Sequence, residues 1–303
     1  MRLDLHSLID PTLLPLVEES RAFYADRTPG RGPTTLDELH AARAGKVAPG
    51  ICWPEPSIET VNAGGTTVDV RIHLPTEVPP AGVVLEMHAG GFYLGSAAGS
   101  DTRNRQLADR LGVAVVSVDY RLAPEHPWPS APDDCETAAL WLVENAEARF
   151  GTTRLAMLGL SAGSTLVATT LIRLRERGIN NYCGAVLDCG TYDLSGQTPA
   201  GRLIADEYFL QAYLGDCADR TIADVSPIYA DLRGLPPVRL VVGADDILLD
   251  DNLAMVGRLM TAGVEVDLNV YPESPHAFTA HPTSMAAKAR SGMYDWLRIR
   301  IAA

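Results

Sequence analysis

Short, predominantly apolar segments alternate with helical stretches over residues 83–298 of this 303-residue chain. The apolar segments are Val83–Met87, Val113–Val118, Leu155–Leu158, Ala185–Leu187, Val238–Val242 and Val264–Val270. The helical stretches cover about Asp101–Leu111, Cys135–Arg149, Ala162–Arg177, Asp251–Ala262 and Thr283–Arg298. Most of the apolar segments lack a two-residue alternation of polar and apolar side chains, which is typical of strands buried on both faces. The pattern therefore predicts an α/β fold with a mostly parallel sheet covered by helices.

Three parts of the chain depart from this alternation. Residues 1–50 are helical and turn-rich, and a polar, tyrosine-rich insertion lies at about residues 191–225. Two strand-like runs joined by a glycine pair precede the first apolar segment: Ile58–Val61, Gly64-Gly65 and Thr66–Leu74. The glycine pair between such runs is a hairpin signal. We therefore expect one large domain over residues 51–303, with residues 1–50 and the insertion added to it.

The charge of the chain excludes several classes of partner. There are 25 Lys and Arg residues against 38 Asp and Glu residues, which gives a formal net charge of −13. Nucleic acids and anionic membranes are bound by clustered cationic residues, so we expect neither as a partner. The longest cationic cluster, Arg173–Arg177, is predicted to be a solvated helix face. No apolar segment approaches the roughly 18 residues of a membrane-spanning helix, so no membrane span is expected.

The cysteines indicate the cellular compartment. The chain has five of them, Cys52, Cys135, Cys183, Cys189 and Cys217, with no Cys-x-x-Cys pair. An odd number without metal-type spacing predicts reduced thiols, no disulfide framework and no metal site. The start of the chain, Met1–His6, places an acidic residue where a secretory signal needs its apolar core. We therefore expect a cytoplasmic location.

The segment Gly159–Gly163 reads Gly-Leu-Ser-Ala-Gly and lies between an apolar run and a helical stretch. This strand–turn–helix context is that of a nucleophile elbow, in which the serine backbone is strained and the residues two positions away must be small. Ser161 is therefore the candidate nucleophile. The alternative is an ordinary glycine- and serine-containing turn that caps the following helix.

A second glycine-containing loop, His88–Gly91, follows the apolar segment Val83–Met87. Backbone amides of Gly90, Gly91 and Ala162 could donate hydrogen bonds to the oxygen that becomes negative when a serine attacks an ester. A simple turn or a phosphate-binding loop is the alternative reading. The chain has neither Gly-x-x-x-x-Gly-Lys-Ser/Thr nor Gly-x-Gly-x-x-Gly, so a nucleotide cofactor is unsupported.

An acid and a base follow the serine in the chain order that a serine hydrolase of this type requires. Four aspartates, Asp245, Asp246, Asp250 and Asp251, follow the apolar segment Val238–Val242. His276 follows the segment Val264–Val270, and His281, five residues later, is the rival base. Loops after neighbouring parallel strands meet at one edge of the sheet, so these side chains are expected near Ser161.

These motifs together resemble the hormone-sensitive-lipase-like branch of the α/β-hydrolases, an esterase family with a His-Gly-Gly-Gly oxyanion loop. The matching segments are His88–Phe92, Asp119–Glu125, Gly159–Gly163, Ser226-Pro227, Leu235–Pro237, Gly243–Asp251 and His276–Phe278. The resemblance implies an eight-stranded, mostly parallel sheet with a helical cap formed by residues 1–50 and 191–225. It also implies hydrolysis of small to medium acyl esters without any metal or organic cofactor. In the family the triad acid precedes a Pro-Leu pair, which assigns the role to Asp246 before Ile247-Leu248.

The resemblance leaves the details of specificity open. Ala89 replaces the first glycine of the oxyanion motif, Leu160 stands where an aspartate is common, and Ser164-Thr165 replaces Gly-Asn. Four aromatic residues could line the substrate pocket or simply pack the cap against the core: Phe92, Tyr208, Phe209 and Tyr213.

Two alternatives to a carboxylesterase remain. The same machinery could cleave an amide, lactone, carbamate or acetylated natural product. The chain could also be a non-catalytic ligand receptor, although receptors of this branch lose the histidine that His276 retains. Both a monomer and a homodimer are compatible with the sequence.

Overall fold

An eight-stranded sheet forms the centre of the computed structural model, which describes residues 4–27, 32–45 and 51–303. The strands are β1 (Ser57–Ala63), β2 (Thr66–His73), β3 (Val83–Met87), β4 (Ala114–Val118), β5 (Leu155–Leu160), β6 (Tyr182–Asp188), β7 (Val238–Gly243) and β8 (Val266–Tyr271). Their order is β1-β2-β4-β3-β5-β6-β7-β8. β1 and β2 form the predicted hairpin, β2 runs antiparallel to β4, and the remaining pairs are parallel. The predicted α/β fold is confirmed.

Eight α-helices accompany the sheet in the described residues. They are α1 (Val17–Ala25), α2 (Leu36–Ala44), α3 (Asp101–Leu111), α4 (Ser130–Phe150), α5 (Ala162–Glu176), α6 (Tyr208–Leu214), α7 (Leu249–Thr261) and α8 (Ser284–Ala302). α4 begins five residues earlier than the sequence suggests, because its Pro132 lies in the first turn, where the missing amide proton breaks no helical hydrogen bond. None of the helices in these residue ranges is long and apolar enough to cross a lipid bilayer.

The sheet separates two apolar clusters. Alternate residues of the central strands face opposite sides, so Leu85 belongs to the cluster with α4, α5 and α7, whereas Val84 belongs to the cluster with α3 and α8. Both side chains are completely buried. Because both faces are covered, the strands need apolar residues at successive positions, and this explains the absence of alternation in the sequence.

The two additional segments meet different parts of the sheet. Residues 4–27 pack against β8 and α8. Ile9 forms a β-bridge to Val270, and the Ser20 hydroxyl donates to the Glu273 carbonyl at 2.5 Å. By contrast, α2 reaches the loops after β3 and β4, where Arg43 donates to the carbonyl oxygens of Tyr93 and Ala123, respectively. Parts of the predicted N-terminal segment, 1–3, 28–31 and 46–50, lie outside the described residues.

The interpretation of Arg173–Arg177 as a solvated face is wrong at Arg173. Its side chain is only 16% exposed and forms ion pairs with Asp133 and Glu136 on α4 and with Asp224 in the insertion. The guanidinium reaches acids on two other elements, which the helix sequence by itself does not reveal. Arg173 therefore joins α5 to α4 and to the insertion.

Candidate active site

Ser161 lies at the sharp turn between β5 and α5. Its backbone adopts φ 54° and ψ −120°, a conformation that non-glycine residues rarely adopt. Its amide donates to the Asp188 carbonyl at 2.8 Å, which ties the turn to the end of β6. Close packing explains the second glycine of the motif, because a Cβ atom at Gly163 would lie 2.0 Å from the Met87 carbonyl oxygen. The turn thus has the geometry of a nucleophile elbow.

A continuous chain of hydrogen bonds links Ser161, His276 and Asp246. Ser161 Oγ lies 2.8 Å from His276 Nε2, and His276 Nδ1 lies 3.0 Å from each carboxylate oxygen of Asp246. The Asp246 side chain is fully buried, whereas that of His276 is 33% exposed. Asp246 Oδ1 also accepts the Leu248 amide at 2.8 Å, which fixes the carboxylate in its loop. The arrangement gives an imidazole that can accept a proton from the serine while a buried carboxylate holds its other nitrogen.

The other candidate acids and the rival base have different surroundings. Asp245 and Asp250 are exposed, while Asp251 is buried and accepts the amides of Tyr192 and Asp193. Asp250 and Asp251 both lie in the first turn of α7, and the Asp251 carboxylate there bonds to the start of the insertion. His281 hydrogen-bonds to Tyr24 of α1 at 2.8 Å through Nδ1.

The loop after β3 folds back on itself beside the elbow. Gly90 adopts φ 134°, and its carbonyl accepts the amides of Tyr93 and Leu94. A Cβ atom at Gly90 would lie 2.0 Å from the Leu94 oxygen, so this position requires glycine. The amides of Gly90 and Gly91 donate to no backbone carbonyl within the part of the chain that the structure describes. They remain available to an external acceptor, as does the amide of Ala162 at the first position of α5.

His88 supports this loop from within the core. Its ring stacks on Tyr120 with a centroid distance of 4.0 Å, and its Nδ1–H donates to the Ala89 carbonyl. The Tyr120 hydroxyl donates to the His88 carbonyl at 2.8 Å. Burial lowers the pKa of His88, which keeps the imidazole neutral. His88 therefore braces the loop.

The four aromatic candidates divide into two pairs. Phe92 and Tyr213 are buried, with centroids 3.8 Å apart, and they stack on each other. They fasten α6 to the loop, and both side chains are closed to solvent, so their assignment to the substrate pocket stays a prediction. Tyr208 and Phe209 are half-buried. The Phe209 Cβ lies 3.4 Å from the place a Cβ at Gly91 would occupy, so α6 lies directly over the loop.

The sequence interpretation missed two residues near Ser161, which lie at the end of the neighbouring strand β6. Asp188 ends β6, and burial raises its pKa to about 6. Cys189 comes next and has φ 43°, and its thiol lies close to Asp246 and His276. The sequence signal that could have found them is their position at the carboxyl end of β6. This strand lies between β5, which precedes Ser161, and β7, which precedes Asp246.

Comparisons with known proteins agree with this geometry. A family model described as the alpha/beta hydrolase fold matches residues 84–280. The chain is 34% identical to an ethyl acetate hydrolase of Pseudomonas putida over 260 residues, or 80% of each protein. It is 33% identical to carboxylesterase NlhH of Mycobacterium tuberculosis over 305 residues, covering 93% of this chain and 92% of the relative. A solved esterase of Pyrobaculum calidifontis superimposes with a TM-score of 0.80 at 26% identity, covering 97% of this chain and all of the other.

Proposed function

This chain belongs to the hormone-sensitive-lipase-like α/β-hydrolases, and from that premise we propose that it is a serine carboxylesterase acting through Ser161, His276 and Asp246. The observation that carries the proposal is the unbroken hydrogen-bond chain from the Ser161 hydroxyl through His276 to buried Asp246. The similarity to proteins named as carboxylesterase and ethyl acetate hydrolase supports an ester as the substrate.

In the first half of the proposed reaction, Ser161 Oγ attacks the ester carbonyl while His276 Nε2 accepts its proton. Asp246 holds the proton on Nδ1, which keeps Nε2 free as the acceptor and stabilises the imidazolium that forms. The tetrahedral intermediate then expels the alcohol, to which His276 returns the proton. The product of this half-reaction is an acyl group on Ser161.

In the second half, water attacks the acyl-enzyme and His276 again accepts a proton. Collapse of the second tetrahedral intermediate returns the proton to Ser161 Oγ and releases the carboxylic acid. Every proton moves between the substrate, water and groups of this chain, so the reaction requires no metal and no organic cofactor.

The amides of Gly90, Gly91 and Ala162 are the proposed oxyanion donors. Gly90 and Gly91 lie on a braced loop, and Ala162 opens α5, so these donors are fixed before the substrate binds. A preorganised donor of this kind lowers the barrier by about 3 kcal/mol, because no reorganisation is needed when charge develops.

We propose that residues 1–50, of which 4–27 and 32–45 are described, and the insertion at 191–225 supply the helical cap. Residues 51–303 are the proposed catalytic domain that carries the insertion. The contacts of Arg43 with the loops after β3 and β4 and the position of Phe209 beside Gly91 support the assignment. Tyr208 and Phe209 are the proposed substrate-contacting residues. Two half-buried aromatic rings so near the proposed oxyanion loop favour small to medium acyl groups.

A homodimer and a cytoplasmic location complete the proposal. β8 is an edge strand that is bridged on its outer side by Ile9, and an incompletely paired edge can accept a second chain. Light scattering across micromolar concentrations measures the assembly, and a monomer throughout that range would contradict the dimer.

The cysteines support the cytoplasmic location. All five are free thiols, which suits a reducing compartment.

Ester hydrolysis tests the proposed function. We expect nitrophenyl acetate and butyrate to be cleaved with an initial burst, and Ser161→Ala to lower kcat by about 10⁶-fold, the loss typical of removing a serine nucleophile. Ser164→Ala is the matched control, because this buried hydroxyl one turn away bonds only to the carbonyls of Gly159 and Asp188. Circular dichroism verifies that both variants fold.

The same experiment distinguishes the alternatives. Residual activity of Ser161→Ala within tenfold of the parent would exclude this nucleophile. A parent protein that binds esters without turning them over would point to a receptor. Faster cleavage of matched amides or lactones than of esters would point to another acyl hydrolase.

A further inference from the structure

Three side chains that can bind metal ions meet at the proposed active site. Cys189 Sγ, a carboxylate oxygen of Asp246 and an imidazole nitrogen of His276 lie within 4.8 Å of one another. Across residues 4–27, 32–45 and 51–303, this is the one group of three or more His, Cys, Asp or Glu side chains with such spacing. The thiol has no part in the proposed hydrolysis, so its position beside the histidine and aspartate calls for an explanation.

The backbone holds Cys189 firmly in this position. The residue follows β6 directly, and its amide donates to the Val241 carbonyl of β7 at 2.7 Å. One residue earlier, the Asp188 carbonyl accepts the Ser161 amide. The segment is therefore fixed between the elbow and the strand that leads to Asp246. Cys189 itself is fully buried.

The surroundings disfavour a free thiolate at Cys189. Burial raises the pKa of the thiol well above its ordinary value, and the nearby carboxylates of Asp188 and Asp246 act in the same direction. The amides of Ala277 and Ser161 oppose this effect only partly. The thiol is consequently a poor nucleophile. A divalent cation changes the balance, because its charge compensates both the thiolate and the carboxylate.

The ligand types match a particular class of ion. Sulfur, imidazole nitrogen and carboxylate oxygen are ligands of zinc, and soft thiolate ligands also bind cadmium. Tetrahedral coordination with bonds of about 2.0–2.3 Å places ligand atoms about 3.5 Å apart. His276 Nδ1 and the Asp246 oxygens, 3.0 Å apart, must therefore separate slightly, and the thiol, within 4.8 Å of both groups, needs to shift by about 1 Å at most. Of the three ligand residues, only His276 has a partly exposed side chain, at 33%.

We propose that Cys189, Asp246 and His276 form an inhibitory binding site for a divalent zinc or cadmium ion. The ion binds Cys189 Sγ, one oxygen of Asp246 and His276 Nδ1, with water as the fourth ligand. Cys189 loses its proton to solvent, and the imidazole proton moves from Nδ1 to Nε2. The Nε2–H then points at Ser161 Oγ, 2.8 Å away, and cannot accept the serine proton. The inhibitory part rests on the proposed esterase function, whereas the binding part does not.

Metal binding is measured first, independently of activity. Calorimetry with ZnCl₂ and ultraviolet absorption with CdCl₂ should show one ion per chain and a cadmium–thiolate charge-transfer band. Cys189→Ala should abolish the band and weaken binding about tenfold or more. Cys135→Ala is the matched control, because Cys135 is also a fully buried free thiol and lies on α4. Equal binding by parent and Cys189→Ala, or equal loss in both variants, overturns the proposal.

A second variant keeps the test valid if the alanine variant does not fold. Cys189→Ser preserves the shape but replaces a strong sulfur ligand by a weak oxygen ligand, so the band should disappear and cadmium affinity should fall about tenfold or more. An unchanged affinity in the serine variant refutes the role of the thiol.

Inhibition is measured next in the parent protein. ZnCl₂ should reduce ester hydrolysis by the parent, and EDTA should restore it. In Cys189→Ala the fraction of activity that remains in the presence of zinc should be about tenfold or more higher than in the parent, and thus close to one. Ser161→Ala should bind cadmium as the parent does. Binding without any esterase activity in the parent would refute the proposed function and leave the metal site intact, whereas esterase activity that zinc inhibits equally in Cys189→Ala would refute the metal site alone.

Discussion

Replacing Asp251 by asparagine should make the protein more stable at neutral pH than its parent. The Asp251 side chain lies in the first turn of α7 and is almost completely buried. Oδ2 accepts the amides of Tyr192 and Asp193 and the Thr191 hydroxyl, while Oδ1 is buried without a hydrogen-bond partner. Asparagine retains one oxygen acceptor for the amides and removes the negative charge.

The pKa of Asp251 determines the magnitude and the pH range. Burial raises this pKa from 3.8 to about 6, and the nearby charge of Asp193 contributes in the same direction, while the hydrogen bonds from the amides oppose it. A carboxyl whose pKa is higher in the folded state stabilises the fold fully below about pH 4. That contribution is lost as the pH rises to about 6. At about 1.4 kcal/mol for each pH unit, the loss amounts to about 3 kcal/mol.

Urea unfolding followed by tryptophan fluorescence from pH 4 to 8 measures this effect. The free energy of unfolding of Asp251→Asn minus that of the parent should rise by about 3 kcal/mol between about pH 4 and 6 and stay constant above. Asp250→Asn is the matched control, since it removes the adjacent, exposed carboxylate of the same helical turn, and its difference should remain within about 0.5 kcal/mol. A pH-independent difference for Asp251→Asn would refute the reasoning, because it would mean that the buried carboxyl ionises as readily in the fold as in the unfolded chain.

Three further predictions concern the reaction. Asp246→Asn should lower kcat by up to about 10⁴-fold by favouring the wrong imidazole tautomer, whereas Asp245→Asn should stay within tenfold; the reverse order would show that the acid is misassigned. Gly90→Ala should lower kcat by about 10²–10³-fold because its Cβ would collide with the Leu94 oxygen, while Gly257→Ala, on α7 with nothing within 4 Å of the added atom, should not. Prolonged dialysis against EDTA should leave activity intact, and a loss that zinc reverses would contradict the proposed reaction.

The order of strands and helices could be predicted from the sequence because burial determines which residue types occur within each strand or helix. A strand covered on both faces is apolar at most successive positions, as in Leu155–Leu160 and, apart from buried Glu86, in Val83–Met87. This distinguishes it from the amphipathic helices. The proposed catalytic residues could be predicted for a related reason. The strained turn at Ser161 requires small neighbours, and these are visible within five consecutive residues. The order of the triad members in the chain then limits the acid and the base to two loops.

Contacts between segments that are distant in the chain produce no such local sequence pattern. Arg173 looks solvated in its own helix because the acids that neutralise it, Asp133 and Asp224, come from other elements. Phe92 and Tyr213 could not be recognised as a stacked, buried pair, since 120 residues separate positions that the fold places 3.8 Å apart. Periodicity describes which face of an element is apolar, but it does not identify what covers that face.

The metal site that we propose could not be anticipated from cysteine spacing for the same reason, whereas the topology brings its three residues together. Ligand-spacing rules detect residues that share one short loop, whereas Cys189, Asp246 and His276 come from the ends of three neighbouring parallel strands. Parallel strands point their carboxyl ends toward one edge of the sheet, so the residue that follows each strand shares a common space with the others. β6 lies between β5 and β7, and the residue after it must therefore lie beside the groups that follow those strands. A thiol at that position borders the histidine and the aspartate even though the chemistry proposed for them makes no use of it.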